Sequence, residues 1–340
     1  MRFLDACRRK PVDATPVWFM RQAGRYMPEY RAIRAKASFL EMCERPEIAA
    51  EVTLQPVKFM AVDAAILYAD ILLPVRPMGV ALEFLKGEGP RLAPPVRSPK
   101  DVARLRLFDP NEELGFVMET LRLVRRELAG RIPLIGFAGA PFTLASYLIE
   151  GGPSKDYRWT KLMMHGEPKL WDALMGKIAK VTSAYLAAQV KAGAQAVQLF
   201  DSWVGALSKE DYERRVKPWS DKVLAAAKKT GVPVITFGTG TTPFLESFAA
   251  SPCDVVGVDW RLPLAQAWKR VGSGKAVQGN MDPVNLFLPR PELKKAVRAV
   301  LKEAGGRKGH IFNLGHGILQ ETPPDNVRAV ADWVHEWTAR

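Results

Sequence analysis

Residues 196–237 contain two short apolar runs, AVQLF (Ala196–Phe200) and PVITF (Pro233–Phe237), separated by a segment with helical spacing, Lys209–Lys229. Each run is nearly continuous in apolar residues rather than alternating, which is typical of parallel strands that are buried on both faces. The segment between the runs is long enough for the crossover that parallel neighbours require. The stretch therefore predicts a strand–helix–strand unit and an α/β fold.

The same alternation continues along the chain in both directions. Prolines such as Pro46 and Pro324 stand where helices would begin, as expected for the first helical turn. The predicted strands are Val17–Met20, Ala64–Tyr68, Pro133–Phe137, Ala196–Phe200, Pro233–Phe237, Val255–Asp259, Ala276–Gly279 and His310–Asn313. The predicted helices include Glu47–Met60, Glu112–Leu128, Pro168–Lys191, Lys209–Lys229, Glu292–Ala304 and Asp325–Trp337. Eight strands alternating with helices predict a (β/α)₈ TIM barrel.

One insertion interrupts this pattern after the second predicted strand. The segment Met78–Val96 consists of VALEFL, a turn at Gly87-Glu88-Gly89-Pro90 and RLAPPV, which predicts a β-hairpin. The sequence contains no fixed-period repeat and no Gly/Ser linker. We therefore expect residues 1–340 to form one barrel domain, a length that this fold often reaches.

Composition gives a first indication of compartment. The start of the chain, MRFLDACRRKPVDATP, lacks the apolar run of an export signal. The longest apolar stretch, Ala64–Val75, contains Asp70 and is too short to cross a bilayer. Three widely spaced cysteines favour a reducing environment over a disulfide framework. We expect a cytoplasmic protein that does not insert into membranes.

The charge of the chain points to an anionic partner. Lys and Arg number 49 against 36 Asp and Glu, for a net charge of +13. The first 36 residues hold nine of these cations and three acids, and their arginines are interleaved with aromatic residues such as Trp18 and Tyr26. A solvated basic surface is one interpretation. The planar guanidinium suits bidentate recognition of carboxylate or phosphate, so an anion-binding site is the other.

The predicted barrel places several polar residues at one rim, because each of them follows a predicted strand and parallel strands end at the same side. Active sites of this fold lie at that rim. Arg21 follows the first predicted strand, Asp70 the second, Asp201 and Ser202 the fourth, and His316 the eighth. These side chains would converge on one mouth.

Asp70 is the most informative of the rim residues. It lies within AAILYADILLPV, where an unpaired buried carboxylate would be costly. A helix N-cap or a structural partner of an arginine would explain it. Its place at a strand end favours a carboxylate that faces the mouth and meets N–H donors or a developing positive charge.

Two other features of the rim each allow two interpretations. Residues 21–25, RQAGR, form a loop with two guanidiniums. Glu29 is the only acid close to it in the sequence, which favours anion binding over a structural ion pair. Tyr147 would lie on the first turns of the helix after GFAGAPF, where it could face the mouth or pack in the core. The spacing of GFAGAPF matches neither GxGxxG nor a Walker loop. His–Cys and HExxH metal motifs are absent from the sequence.

Two long stretches resemble the signatures of the uroporphyrinogen decarboxylase family. PVWFMRQAGR at residues 16–25 is similar to the first signature, and GFAGAPFTL at residues 136–144, continuing to Tyr147, is similar to the second. Shorter matches along the chain include residues 199–203 (LFDSW) and 313–317 (NLGHG). Ala69 departs from the family, which often has serine there.

The resemblance implies a barrel, usually dimeric, that converts uroporphyrinogen III to coproporphyrinogen III and carbon dioxide. It assigns catalytic roles to Asp70, Arg21 and Tyr147, with Asp70 meeting the pyrrole N–H groups at the centre of the macrocycle. The substrate-binding set that it implies is Arg21, Gln22, Ala23, Gly24, Arg25, Arg34, Phe39, Asp70, Tyr147, Ser202 and His316.

The chemistry of that reaction agrees with the residues. A protonated pyrrole supplies the electron sink, so no cofactor and no metal are expected. Arginines would hold the spectator carboxylates while Asp70 stabilises the cationic intermediate. Tyr147, His316 and a water bound by Asp70 are the alternatives for the proton donor, since arginine is a poor acid.

Three other functions can be distinguished from this one by simple measurements. A zinc- and cobalamin-linked methyltransferase of the same superfamily would need a His and Cys ligand set, which a zinc assay tests. A nucleic-acid-binding protein would show a steep salt dependence, although no recognition module is present. A phosphate-handling barrel enzyme would be excluded by product analysis.

Overall fold

The computed structural model describes residues 1–85 and 89–340. The central element is a sheet of parallel strands in the order β1-β4-β5-β6-β7-β8-β9. Two further strands, β2 and β3, pair separately and antiparallel. The strands are β1 Ala65–Ile66, β2 Ala81–Leu85, β3 Gly89–Ala93, β4 Leu134–Gly139, β5 Ala196–Asp201, β6 Val234–Gly238, β7 Val255–Gly257, β8 Ala276–Gln278 and β9 His310–Ile311.

Helices connect the strands and cover the sheet. They are α1 Arg2–Cys7, α2 Pro28–Arg34, α3 Phe39–Glu44, α4 Pro46–Phe59, α5 Pro99–Arg104, α6 Pro110–Glu113, α7 Gly115–Leu128, α8 Pro141–Glu150, α9 Arg158–Gly166, α10 Pro168–Lys191, α11 Lys209–Asp211, α12 Lys217–Lys228, α13 Leu245–Ala249, α14 Leu264–Val271, α15 Arg290–Ala304 and α16 Pro324–Thr338. Proline occupies the first position of α4, α10 and α16, as the sequence predicts. Within the described ranges, no helix combines the length and apolar character needed to cross a membrane.

The strand–helix–strand unit of residues 196–237 is confirmed. Strands β5 and β6 pair in parallel with Val197 opposite Val234, and α12 lies between them in the chain. The predicted hairpin is confirmed by the pairing of Ala81 with Ala93, although Gly87 and Glu88 of its turn lie outside the described residues. The predicted helix Glu112–Leu128 is two helices, α6 and α7, that meet at Leu114.

The sheet is curled rather than flat. The Gln278 side chain of β8 donates from Nε2 to Oε1 of Gln198 on β5 at 3.1 Å, although β6 and β7 separate the two strands. Trp18 Nε1 donates to Gln278 Oε1 at 3.0 Å on the same concave side. Side chains so far apart in strand order can meet only if the sheet curves around them, which gives a half-barrel.

The first predicted strand, Val17–Met20, is wrong as a regular strand. It contributes a single parallel bridge, between Val17 and Phe312. Side chains replace the missing ladder: Val17 N–H donates to Asp63 Oδ2 at 2.8 Å, and Met20 N–H donates to Asn313 Oδ1 at 3.1 Å. Because side-chain oxygens satisfy these buried donors, the segment stays extended without continuous pairing.

The Asp63 carboxylate joins both ends of the chain to the sheet. Besides Val17 N–H it accepts Arg2 Nη1 at 2.7 Å, and His335 Nε2 lies 2.7 Å from Oδ2. Asp63 is buried immediately before β1. One carboxylate thus connects α1, the Val17 segment and α16.

We predict that Asp63→Ala lowers the free energy of unfolding by about 2–4 kcal/mol, because it leaves the buried Val17 N–H unsatisfied and removes a charged bond to Arg2. Asp63→Asn, which keeps one acceptor oxygen, should lose less. Chemical unfolding followed by circular dichroism measures both. Asp332→Ala, an exposed acid on α16, is the control. A variant at Asp63 no less stable than that control would contradict the prediction.

Candidate functional site

The candidate site lies at the carboxyl edge of the curled sheet. Arg21 follows the Val17 segment, Asp70 follows β1, Ser202 follows β5 and His316 follows β9, while Tyr147 lies on α8 after β4. Parallel strands bring their carboxyl ends to one edge, so the topology gathers these residues at one mouth.

Arg21 occupies a backbone conformation that few side chains adopt. Its φ is +60°, in the left-handed region, which costs about 1–3 kcal/mol for a residue with a Cβ. The aliphatic part of its side chain crosses Gly317, where a Cβ would lie 2.5 Å from Arg21 Cδ. The turn and the glycine together fix the direction of an exposed guanidinium.

Asp70 is partly exposed at the mouth, but protein atoms surround its carboxyl group. Loss of hydration raises its pKa to about 6, against the opposing effects of the Leu72 N–H, which donates to Oδ1 at 2.8 Å, and of the Arg21 charge. Asp70 is therefore ionised at neutral pH in a setting where charge interactions are strong.

Tyr147 lies close enough to Asp70 and Arg21 for their charges to act on it. Burial, followed by the charge of Asp70, raises the pKa of the Tyr147 phenol above its usual range. Its ring packs on Trp203, with the ring centroids 3.8 Å apart and the planes inclined by 31°. The phenol stays protonated at neutral pH and can donate a hydrogen bond.

His316 completes the group that responds to Arg21. Burial, followed by the Arg21 charge, lowers the pKa of the imidazole, which favours its neutral form. Trp260 meets the ring edge to face, with centroids 6.4 Å apart. The structure thus brings together Arg21, Asp70, Tyr147 and His316.

Arg25 and Arg34 are exposed and line a common groove of about 420 Å³ with Arg31, Ala35, Gln320 and Glu321. Arg31 Nη1 donates to the carbonyls of Arg25 and Tyr26 at 2.9 Å, so it supports the loop. The groove offers an arginine-rich surface beside the predicted anion-binding loop.

The Gln22 side chain points into the core rather than the mouth. It is fully buried, its Oε1 accepts Phe19 N–H at 3.1 Å, and its Nε2 donates to the Ala64 carbonyl at 3.1 Å. Its amide holds the loop in shape, and the neighbouring Ala23 and Gly24 are partly exposed.

Two other predicted residues have surroundings that the sequence did not reveal. Phe39 belongs to an aromatic cluster with Tyr68 and Phe84, at centroid distances of 6.0 and 4.6 Å. Ser202 is partly buried, and its carbonyl accepts the Thr239 hydroxyl.

Arg261, a further arginine that lies near His316, was not identified from the sequence. Arg261 forms an ion pair with the buried Asp259 at 2.6 Å, and its guanidinium lies 4.3 Å from the centre of the Trp260 ring. The charges of Arg261 and Asp259 both act on His316. The position of Asp259 at the end of a predicted strand was the available signal.

Metal-ligating side chains do not cluster in the described part of the chain. Residues 1–85 and 89–340 contain no group of three or more His, Cys, Asp or Glu side chains placed to hold a metal ion.

Comparisons with known proteins place this architecture in a family. The family model described as "Uroporphyrinogen decarboxylase (URO-D)" matches residues 1–337. A protein of Sorangium cellulosum (strain So ce56) named uroporphyrinogen decarboxylase is 60% identical over 334 residues, or 98% of this chain and 95% of its own. One of the same name from Carboxydothermus hydrogenoformans is 56% identical, with the same coverage.

A solved structure supports the fold independently. A methyltransferase from Methanosarcina mazei superposes with a TM-score of 0.83 over 99% of this chain and 98% of its own, at 20% sequence identity. At that identity the likeness concerns the fold alone.

We predict that Gly317→Ala displaces the Arg21 side chain, because the new Cβ would overlap Cδ and Cγ. The Arg21 charge lowers the pKa of Asp70, so its displacement should raise that pKa above about 6. Nuclear magnetic resonance titration of the aspartate carboxyl carbons measures the shift. Asp70 can be assigned from the signal that Asp70→Asn removes.

Gly274→Ala is the matched control, since no atom lies within 4 Å of its added Cβ. It should leave the Asp70 pKa unchanged. An unchanged value in Gly317→Ala as well would show that Gly317 does not set the position of Arg21.

Proposed function

The chain belongs to the uroporphyrinogen decarboxylase family, and we propose that its reaction takes place at the mouth formed by Arg21, Asp70 and Tyr147. It is an enzyme of tetrapyrrole biosynthesis that decarboxylates uroporphyrinogen, converting the acetate arms to methyl groups with release of carbon dioxide. The observation that carries the proposed site is the convergence of Arg21, Asp70 and Tyr147 at the carboxyl edge of the sheet. Burial there raises the pKa of Asp70, which the Arg21 charge partly opposes.

The arginines of the mouth bind the substrate in this proposal. Uroporphyrinogen is a polycarboxylate, and guanidinium groups pair with carboxylates through two parallel hydrogen bonds. Arg21, Arg25 and Arg34 would hold carboxylates that are not reacting, while the net charge of +13 attracts the substrate. The Gln22 side chain keeps the loop in shape rather than contacting the substrate.

Asp70 supplies the electrostatic part of the mechanism. Its oxygens accept the pyrrole N–H groups and stabilise the positive charge that forms when a pyrrole α-carbon is protonated. The bond between the acetate methylene and its carboxyl carbon then breaks, and its electron pair passes into the ring. Carbon dioxide leaves, a proton from solvent completes the methyl group, and loss of the proton from the α-carbon restores the aromatic pyrrole.

The electrostatics of the site favour a water bound by Asp70 as the proton donor. The raised pKa of Tyr147, caused first by burial, makes its phenol a weak acid that stays protonated and keeps a proton to donate in a hydrogen bond. The lowered pKa of His316, also caused by burial, leaves little imidazolium at neutral pH. The Asp70 pKa of about 6 lies nearer the working pH, which suits proton exchange.

We propose that the reaction needs no cofactor and no metal, because the protonated pyrrole itself accepts the electrons. The methyltransferase alternative from the same superfamily has only the shared fold in its support.

The finer architecture is also a proposal. The segment Pro16–Met20 would close the half-barrel into a (β/α)₈ barrel formed by residues 1–340 as one domain. In support, Asp63 N–H donates to the Val17 carbonyl and Phe312 N–H to the Pro16 carbonyl, each at 2.8 Å. The segment therefore bonds next to both β1 and β9.

Assembly and compartment follow the family resemblance. We propose a homodimer in the cytoplasm, where the three cysteines remain reduced. Cys7, Cys43 and Cys253 are free and buried, which fits that environment.

Asp70→Asn tests the mechanism. It keeps the size of the side chain but removes the charge, so kcat should fall by roughly two to three orders of magnitude. Asp70→Glu keeps the charge and should retain more activity. Steady-state rates on uroporphyrinogen under anaerobic conditions measure both, and a near-normal kcat for the Asn variant would overturn the role of Asp70.

The pH dependence gives Asp70 a second signature. In the wild type, kcat/KM should fall as the pH drops through about 6, because protonation removes the charge. The raised pKa means that the stability contribution of this group is fully present below about pH 4 and is lost as the pH rises through 6. Above pH 6, Asp70→Asn should therefore be at least as stable as the wild type while being far less active.

Arg21→Lys and Arg25→Lys test the recognition of carboxylates. If each guanidinium makes a paired bond with substrate, replacement by alanine should lower kcat/KM about ten- to a hundredfold, and lysine should restore only part. Wild-type kinetics in the lysine variants would instead indicate simple attraction of charge.

A further inference from the structure

Asp201, the last residue of β5, carries a buried carboxylate that the proposed mechanism does not use. Side chains alternate along a strand, and Gln198 of β5 faces the concave side, where it bonds to Gln278. Asp201, three residues later, therefore faces the helices. Its Oδ1 accepts the Thr143 hydroxyl of α8 at 2.7 Å.

The Thr143 hydroxyl connects Asp201 to the loop after β5. Its Oγ1 accepts the backbone N–H of Trp203 at 3.3 Å while it donates its own proton to Asp201. A hydroxyl has one proton to donate, so the carboxylate on one side and the N–H on the other fix the direction of both bonds. Two consecutive hydrogen bonds therefore join the Trp203 backbone N–H, the Thr143 hydroxyl and the Asp201 carboxylate.

The position of Tyr147 depends on α8 and on the loop after β5, which these hydrogen bonds join. Thr143 and Tyr147 are four residues apart on α8, so they lie on one face of the helix. The backbone N–H of Trp203 is bonded to Thr143, and the Trp203 ring packs on the Tyr147 ring with the centroids 3.8 Å apart. The helix that carries Tyr147 and the indole against its ring are therefore fixed at the same point.

The carboxylate is retained in a place that disfavours its charge. Burial raises the Asp201 pKa to about 7, although the bonds from Thr143 lower it. The Asp201 charge also contributes to the raised pKa of Tyr212, which follows α11. An acidic residue in surroundings that disfavour its ionised form is a candidate for a role beyond stability.

We propose that Asp201 is a positioning residue that acts through Thr143 to hold Trp203 against Tyr147 and so directs the Tyr147 hydroxyl at the substrate. The inference rests on the proposal above that the reaction takes place at the mouth formed by Arg21, Asp70 and Tyr147. Tyr147 itself would contact the substrate, whereas Asp201 and Thr143 would not.

Thr143→Val removes the linking hydroxyl while keeping the shape of the side chain. We expect kcat to fall about tenfold or more, with KM changed less than about twofold. A displaced Tyr147 would stabilise the transition state less, while substrate binding would be little affected. Thr143→Ser, which keeps the hydroxyl, should restore most of kcat. Asp201→Asn, which keeps an acceptor oxygen, should be impaired less than Asp201→Ala.

Thr120→Val is the matched control. Thr120 is equally buried, on α7, and its hydroxyl bonds to the Phe116 carbonyl at 2.9 Å. It should lose stability like Thr143→Val but keep wild-type kcat. Equal loss of kcat in both valine variants would reduce the role of Thr143 to general stability and overturn the proposal.

A double-mutant cycle with Tyr147→Phe separates positioning from structure. If Thr143 acts through the Tyr147 hydroxyl, Thr143→Val should lower kcat much less in the Tyr147→Phe background than in the wild type. An equal effect in both backgrounds, or a wild-type kcat for Tyr147→Phe alone, would overturn the inference. Asp70→Asn tests the proposed site separately, so failure of one is distinguishable from failure of the other.

Discussion

The hydrogen bonds that side chains make to the backbone of the Val17 segment are the constraint on which the mouth depends. Asp63 and Asn313 accept the N–H groups of Val17 and Met20, which keeps the chain extended beside the sheet without a regular ladder. The segment can therefore end directly in the left-handed turn at Arg21. Its anchoring on the sheet fixes the position of that guanidinium, which acts on Asp70, Tyr147 and His316.

Two acidic residues near this mouth lie where burial disfavours their ionised forms. Asp70 and Asp201 both sit where loss of hydration raises the pKa of a carboxyl, to about 6 and about 7. Neither would be selected for stability alone. Asp70 faces the reacting group in the proposed mechanism, and Asp201 bonds to the helix that carries Tyr147. The stability lost at these two positions is offset by the large buried apolar core of the protein.

Local patterns were sufficient for much of the fold. The apolar runs at β5 and β6 and the proline at the start of α10 were predicted because each signal depends on neighbouring residues alone. The first predicted strand failed for the opposite reason. Whether Val17 pairs in a ladder depends on Asp63 and Asn313, which are 46 and 293 residues away from their hydrogen-bond partners in the chain.

The residue pattern alone predicted the alternation of strands and helices and, through two long motifs, the family, and the net charge of +13 favoured an anionic partner. The pattern also located Arg21 and Asp70 at a rim, because parallel strands end at one edge. The tertiary structure decided which side chains face that rim. The Gln22 side chain points into the core, Arg261 pairs with Asp259 near His316, and Asp201 bonds to Thr143 of α8. These orientations depend on the packing of elements that are distant in the chain.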